Sequence, residues 1–172
     1  IVDAPQIPLV SVSPDKTSIV LVERPGIITI KELSAEEYRI AGLRINPATS
    51  GPSRQTFNLA FKIMNIDGTN IREISGMPQD ARLGVPVWST DGKKFAFSNT
   101  KQSSIELWVC DVATLTASKV ADDINMLFGN SFRGSGGSFN CLSYNKSIVY
   151  CVRAPGMEEK PERSLTPEGP FV

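Results

Sequence analysis

Histidine is absent from the 172 residues of this chain, and that count removes a large body of chemistry. A Ser-His-Asp or Cys-His site needs an imidazole as its general base, so none can be assembled from these residues alone. The nearest match to a nucleophile elbow, Gly129-Asn130-Ser131-Phe132-Arg133, lacks the closing glycine and leads into no helix-forming run. No phosphate-cradling glycine loop or zinc-ligand spacing occurs, and no cofactor is expected. Ionic groups remain. Arg44 and Arg54 each present a planar fork that matches a carboxylate at two points, so either could hold an acidic side chain. The ordinary alternative for both is solvation or an internal ion pair. Glu36-Glu37 could hold an amino group, but Ser34-x-x-Glu37 has capping-box spacing, which explains the pair as a helix start over 34–39. Three cysteines leave one unpaired in any disulfide scheme. Cys110 reads as a small buried hydrophobe in a strand. Cys141 and Cys151 would lie opposite one another if their hairpin turned near Lys146, although free thiols are expected.

The elements that must position these groups are short strands. In Pro86 to Val120, Pro-Val-Trp-Ser leads into the turn Thr90-Asp91-Gly92-Lys93, and Phe95 and Phe97 then alternate with smaller or polar residues. The run Ile105 to Val112, a turn at 113–116 and a return over 117–120 make a second hairpin. Four short strands in about 35 residues are the size of one propeller blade. Leu9 to Val22 repeats the first hairpin around Ser13-Pro14-Asp15, 76 residues before Asp91. A blade takes roughly 40 to 50 residues, so the first one carries an insertion. That insertion is 24–58, rich in proline and poor in alternation, with Leu59 to Ile66 and Ile71 to Ile74 completing the blade. A third copy starts at Phe139 to Val152 and gives way to a proline-rich stretch. Trp88 and Trp108 read as packing aromatics.

The expected fold is therefore all-β: a partial β-propeller of about two and a half blades of four-stranded antiparallel sheet, with an inserted irregular or short-helical segment in the first. Residues 1–80 form blade one, 81–125 blade two, and 126–172 the start of blade three with its proline-rich loop. Propellers close with four to eight blades, so the chain reads as a portion of a larger protein. Lys and Arg balance Asp and Glu at 18 each, so no net field recruits nucleic acid. No apolar run approaches the roughly 20 residues of a membrane span. The start at Ile1 is read either as a leader removed, which points to an extracytoplasmic, periplasmic setting, or as a shortened sequence.

Trp88-Ser89-Thr90-Asp91-Gly92-Lys93-Lys94-Phe95-Ala96-Phe97, followed by Glu106 to Val112, resembles the blade repeat of TolB-type propellers and of prolyl-oligopeptidase-like serine peptidases, with Thr90 where proline is usual. A more specific resemblance lies upstream. Ile1-Val2-Asp3-Ala4-Pro5, Glu23-Arg24-Pro25, Ala41-Gly42-Leu43-Arg44-Ile45 and Gly51-Pro52-Ser53-Arg54 come in the order seen in glutamyl endopeptidases, members of the prolyl-oligopeptidase-like group. The resemblance implies the N-terminal propeller of a serine peptidase, capping a C-terminal α/β-hydrolase domain that is absent from these residues. It implies peptide substrates, cleavage after acidic residues, and Arg44 or Arg54 as residues that would meet a substrate carboxylate. It further implies that 24–58 packs against the catalytic domain near the substrate entrance. The chain by itself is expected to be inactive. The competing reading is a non-catalytic TolB-like propeller serving as a protein-interaction scaffold. A Gly-x-Ser-x-Gly elbow downstream, followed by Asp and His, would separate the two.

Overall fold

The computed structural model describes residues 6–26, 29–40, 42–127, 138–141, 146–154 and 156. The first strands, β1 (Leu9–Val12) and β2 (Ser18–Glu23), form a hairpin. A one-turn helix α1 (Ile30–Leu33) and a small hairpin, β3 (Tyr38–Ile40) with β4 (Leu43–Ile45), follow outside that sheet. Strands β5 (Ala60–Asn65) and β6 (Arg72–Glu73) then return to complete it in the order β1-β2-β5-β6. The second sheet is an uninterrupted meander of β7 (Val87–Trp88), β8 (Lys94–Thr100), β9 (Ile105–Asp111) and β10 (Thr116–Ala121). A two-stranded sheet, β11 (Phe139–Cys141) with β12 (Ile148–Tyr150), stands third. These are successive blades of a partial β-propeller.

Both full blades open with the same turn, built by the same side chains. The Ser13 hydroxyl donates to Asp15 and accepts from the Ser18 N–H. The Ser89 hydroxyl likewise donates to Asp91 and accepts from the Lys94 N–H. The position after the aspartate needs left-handed backbone. Gly92 takes it at φ +70°, whereas Lys16 takes it at +58° and bears the extra cost of a β-carbon there.

Period-two alternation sends one face of each full blade into a shared core. Val20, Val22, Phe61 and Ile63 from the first blade meet Phe95, Phe97, Cys110 and Ala117 from the second. Phe61 stands edge-on to Phe95 and Phe97, at centroid distances of 5.8 and 5.1 Å. Trp88 and Trp108 lie against Phe95 and Phe97, and the Trp88 indole N–H donates to Ser11 of the first blade at 2.9 Å. The other face of the second blade, with Ala96, Ile105 and Leu107, packs on Ile124 and Phe139 and so is buried against the third sheet. This explains why β8 is buried at six of its seven positions, the polar Ser98, Asn99 and Thr100 included, since both of its faces are covered. The first blade's opposite face keeps Val10 and Val12 exposed, at 63% and 47%.

One expectation is corrected here, and the expected free thiols are found. The helix expected at 34–39 is not formed. The capping box is Thr29 with Glu32, Ser34 is the C-cap of that single turn, and Tyr38 already belongs to a strand. Both Thr29-x-x-Glu32 and Ser34-x-x-Glu37 have the right local spacing. The earlier one prevails because Glu32 also pairs with Arg82 of the inter-blade link, Oε1 to Nη2 at 2.9 Å. Cys141 and Cys151 do not face each other. Cys141 pairs with Ile148, while the Cys151 N–H donates to the Ser138 carbonyl, so both thiols are free. The Gly129–Arg133 match and the proline-rich stretch from Met157 onward lie outside the described residues.

Candidate functional site

The strand directions place 24–58, the connection 79–86 and the turn 101–104 at one end of the blades. The insertion is tied down there along its length. Asn58 exchanges backbone hydrogen bonds with Leu83, and its side-chain amide donates to the Leu83 and Gly84 carbonyls. Thr49 is buried. Arg153 donates from Nη1 to the Ala48 carbonyl at 3.2 Å while its Nε holds Asp123 at 2.9 Å. The Arg82 guanidinium stacks over the Phe57 ring at 5.1 Å in addition to holding Glu32. The Arg82 N–H donates to Asn99, whose amide donates in turn to the buried Glu106. Burial opposes the charge on Glu106, but hydrogen bonds from Asn99 and Trp108, aided by Lys101 and Lys119, outweigh it and hold its pKa below the ordinary value.

Arg44 and Arg54 come together on one carboxylate, that of Glu37. Glu37 Oε1 takes Arg39 Nε at 3.0 Å and Arg44 Nη1; Oε2 takes Arg54 Nε at 3.0 Å and the Ser53 hydroxyl at 2.9 Å. Local structure explains the convergence. Arg39 and Arg44 are direct cross-strand partners in β3–β4. Gly42 turns that hairpin at φ +82°. Ile45 bridges to Pro52, and the Ser53 N–H donates to the Arg44 carbonyl at 2.9 Å, laying the 51–54 stretch beside β4. Arg54 itself sits at φ +57°, a left-handed conformation uncommon for a side-chain-bearing residue.

The electrostatics follow from burial and partners. The Glu37 side chain is 8% exposed, while those of Arg39, Arg44 and Arg54 are 66%, 44% and 42% exposed. Burial pushes the Glu37 carboxyl toward its neutral form. The hydrogen bonds of Ser53 and Arg39 and the charges of Arg44 and Arg54 overcome that push and hold its pKa at about 2.

Beside the cluster runs a cleft. A cavity of about 710 Å³ lies between the insertion and residues 80–82 and 100–103. A recess of about 150 Å³ shares its Glu32, Asn46, Arg82 and Thr100 walls and extends to Ser53 and Arg54. Arg54 therefore belongs to both the cluster and the cleft, whereas Arg44 is in the cluster alone. Sequence reasoning missed Glu37, Arg39 and Ser53 as members of this group. Ser53 carried a signal, since it lies inside the Gly51–Arg54 stretch, but Glu37 had been assigned to a helix cap. Among the described residues no group of three His, Cys, Asp or Glu side chains could hold a metal ion. No helix among them is long and apolar enough to cross a membrane.

Comparison with known proteins bears on this arrangement. No family model matches the chain. Two curated proteins match it end to end, both named "Probable glutamyl endopeptidase, chloroplastic". The one from Arabidopsis thaliana is 30% identical over 99% of this chain, and the one from Oryza sativa subsp. japonica is 28% identical over all of it. The whole chain is similar to a portion of these glutamyl endopeptidases. It spans 18% and 19% of the length of these two proteins, so it corresponds to a portion of them. Among solved structures, the β-propeller domain of the Trilobed protease from Pyrococcus furiosus superposes over 70% of this chain and 31% of its own, at 18% identity and a TM-score of 0.37. An acylaminoacyl peptidase superposes over 69% of this chain and 16% of its own, at 21% identity and the same TM-score. The similarity to glutamyl endopeptidases covers the hairpin and the 51–54 stretch that bring Arg44 and Arg54 together.

Proposed function

We propose that this chain is the propeller segment of a serine endopeptidase, and that it admits and orients peptides for a catalytic α/β-hydrolase domain elsewhere in the same polypeptide. The observation that carries this reading is the end-to-end similarity to two glutamyl endopeptidases. A histidine-free segment cannot supply the imidazole of a Ser-His-Asp triad, so in this reading the hydrolytic centre belongs to the rest of the protein. The insertion is the part that meets that domain. It leaves Ile30, Leu33, Ile40 and Leu43 exposed, apolar groups available to such a contact.

The reading extends to substrate preference. Three guanidinium groups share one carboxylate, which leaves the cluster positive at the mouth of the recess that Arg54 lines. Arg44 and Arg54 are the residues that sense an acidic side chain of the peptide. The test compares Arg44→Ala and Arg54→Ala in the full-length protein on peptide pairs that differ only by Glu or Gln at the cleaved position, with the isolated chain as an inactive control. The charged peptide should lose about 1.5 to 3 kcal/mol of transition-state binding and the neutral one far less. Equal losses on both peptides would make the two arginines structural and remove the basis for an acidic preference.

A further inference from the structure

Resting on the reading of Arg44 and Arg54 as the acid-sensing pair, we propose that Glu37 is the positioning residue of that site: it fixes the inward edges of Arg39, Arg44 and Arg54 so that their outward edges take a substrate carboxylate. Arg39 and Arg44 stand directly opposite each other across β3–β4, an arrangement in which like charges repel. Without an anion between them the two side chains would splay toward solvent and lose any common aim. Glu37 supplies that anion, and by engaging Arg54 as well it brings a residue from the 51–54 stretch into the same group.

The donor count separates a positioning role from that of an internal competitor. A carboxylate has about four lone-pair directions, and four groups approach Glu37: Arg39, Arg44, Arg54 and the Ser53 hydroxyl. Its capacity is filled from the protein side, and the side chain is 8% exposed. Among the described residues the guanidinium groups keep donors to spare. Arg39 and Arg54 meet Glu37 through Nε and Arg44 through Nη1, while their side chains stay 66%, 42% and 44% exposed. Three cations against one anion leave two positive charges, and Glu36, the adjacent residue, reduces this to one at most. An incoming carboxylate therefore meets oriented donors and a positive field without having to displace Glu37.

Glu37→Gln separates the two roles because it raises the cluster's charge while removing its organiser. The full-length protein is assayed on the Glu and Gln peptide pair. If Glu37 positions the arginines, the Glu-over-Gln ratio of kcat/KM falls about two- to tenfold, the worth of one net hydrogen bond. The fall should appear in KM for the Glu peptide, with kcat nearly unchanged. A ratio that rises would identify Glu37 as a competitor for the arginines and overturn the proposal. An unchanged ratio, or an equal loss on both peptides, would overturn it too. Should Glu37→Gln fail to fold, Ser53→Ala decides, because it removes only the hydroxyl on Oε2. That variant should lower the same ratio about twofold, and an unchanged ratio would count against the proposal. Arginine variants that weaken both peptides alike refute the substrate reading itself. Selective arginine losses beside an indifferent Glu37 refute this inference alone.

Discussion

The contact between the first two blades makes a sharp prediction for Phe61→Ala. Phe61 is 2% exposed and edge-on to both Phe95 and Phe97. A buried aromatic side chain removes roughly 150 to 250 Å² from water, which at about 25 cal/mol per Å² is near 4 to 6 kcal/mol for the whole group. Alanine keeps the β-carbon, and the surrounding rings close part of the space, so the expected loss is about 3 to 5 kcal/mol. With a urea m-value near 2 kcal/mol/M, the unfolding midpoint falls by about 1.5 to 2.5 M. The assay is built in. Trp88 and Trp108 are the only two tryptophans of the chain, and each lies against one of the phenylalanines at this contact. Their fluorescence reports the packing of the two blades directly. Val10→Ala, on the exposed face of the first blade, is the control and should shift stability by no more than about 0.5 kcal/mol. If the two variants shift the midpoint equally, the blades do not pack through the Phe61 face and the assignment of faces is wrong.

Three further outcomes follow from the same structure. Arg54 holds a left-handed φ of +57°, so Arg54→Gly should be more stable than Arg54→Ala by about 1 kcal/mol in thermal unfolding, because only glycine adopts that backbone without cost. Glu37 has a folded-state pKa of about 2, below its ordinary 4.5. Its contribution to stability is therefore complete above about pH 4.5 and is lost as pH falls toward 2, and urea midpoints across that window should fall less steeply in Glu37→Gln. Burial pushes the Cys110 thiol up to about 12. Alkylation of the folded protein near pH 8, read by mass spectrometry, should modify the exposed Cys151 and spare Cys110 until the chain unfolds.

Much of the blade architecture was legible in the residues themselves. Phe95 and Phe97 alternate with smaller neighbours because one side of a strand faces a core. Ser-x-Asp at each first turn marks a local hydrogen-bonding unit that forms wherever the chain reverses. The absence of histidine is read from the sequence alone, and it rules out a Ser-His-Asp or Cys-His site within these residues. Arg44 and Arg54 stood out by residue type and by the stretches that carry them. Their shared partner did not.

What only the tertiary structure decided is the role of Glu37. Ser34-x-x-Glu37 and Thr29-x-x-Glu32 satisfy the same local rule, so spacing cannot choose between them. The choice is made fifty residues away, where Arg82 pairs with Glu32 and fixes the helical turn at the earlier site. That leaves Glu37 to the hairpin and its three arginines. The register of β11–β12 has the same character, since it is the packing of Phe139 and Ile148 on the second blade that determines which residues face each other, and with them the separation of Cys141 from Cys151. Local patterns determine which segments become strands and turns because those preferences act over a few residues. Which charges meet is set by contacts between segments far apart in the chain, and those exist only once the blades have stacked.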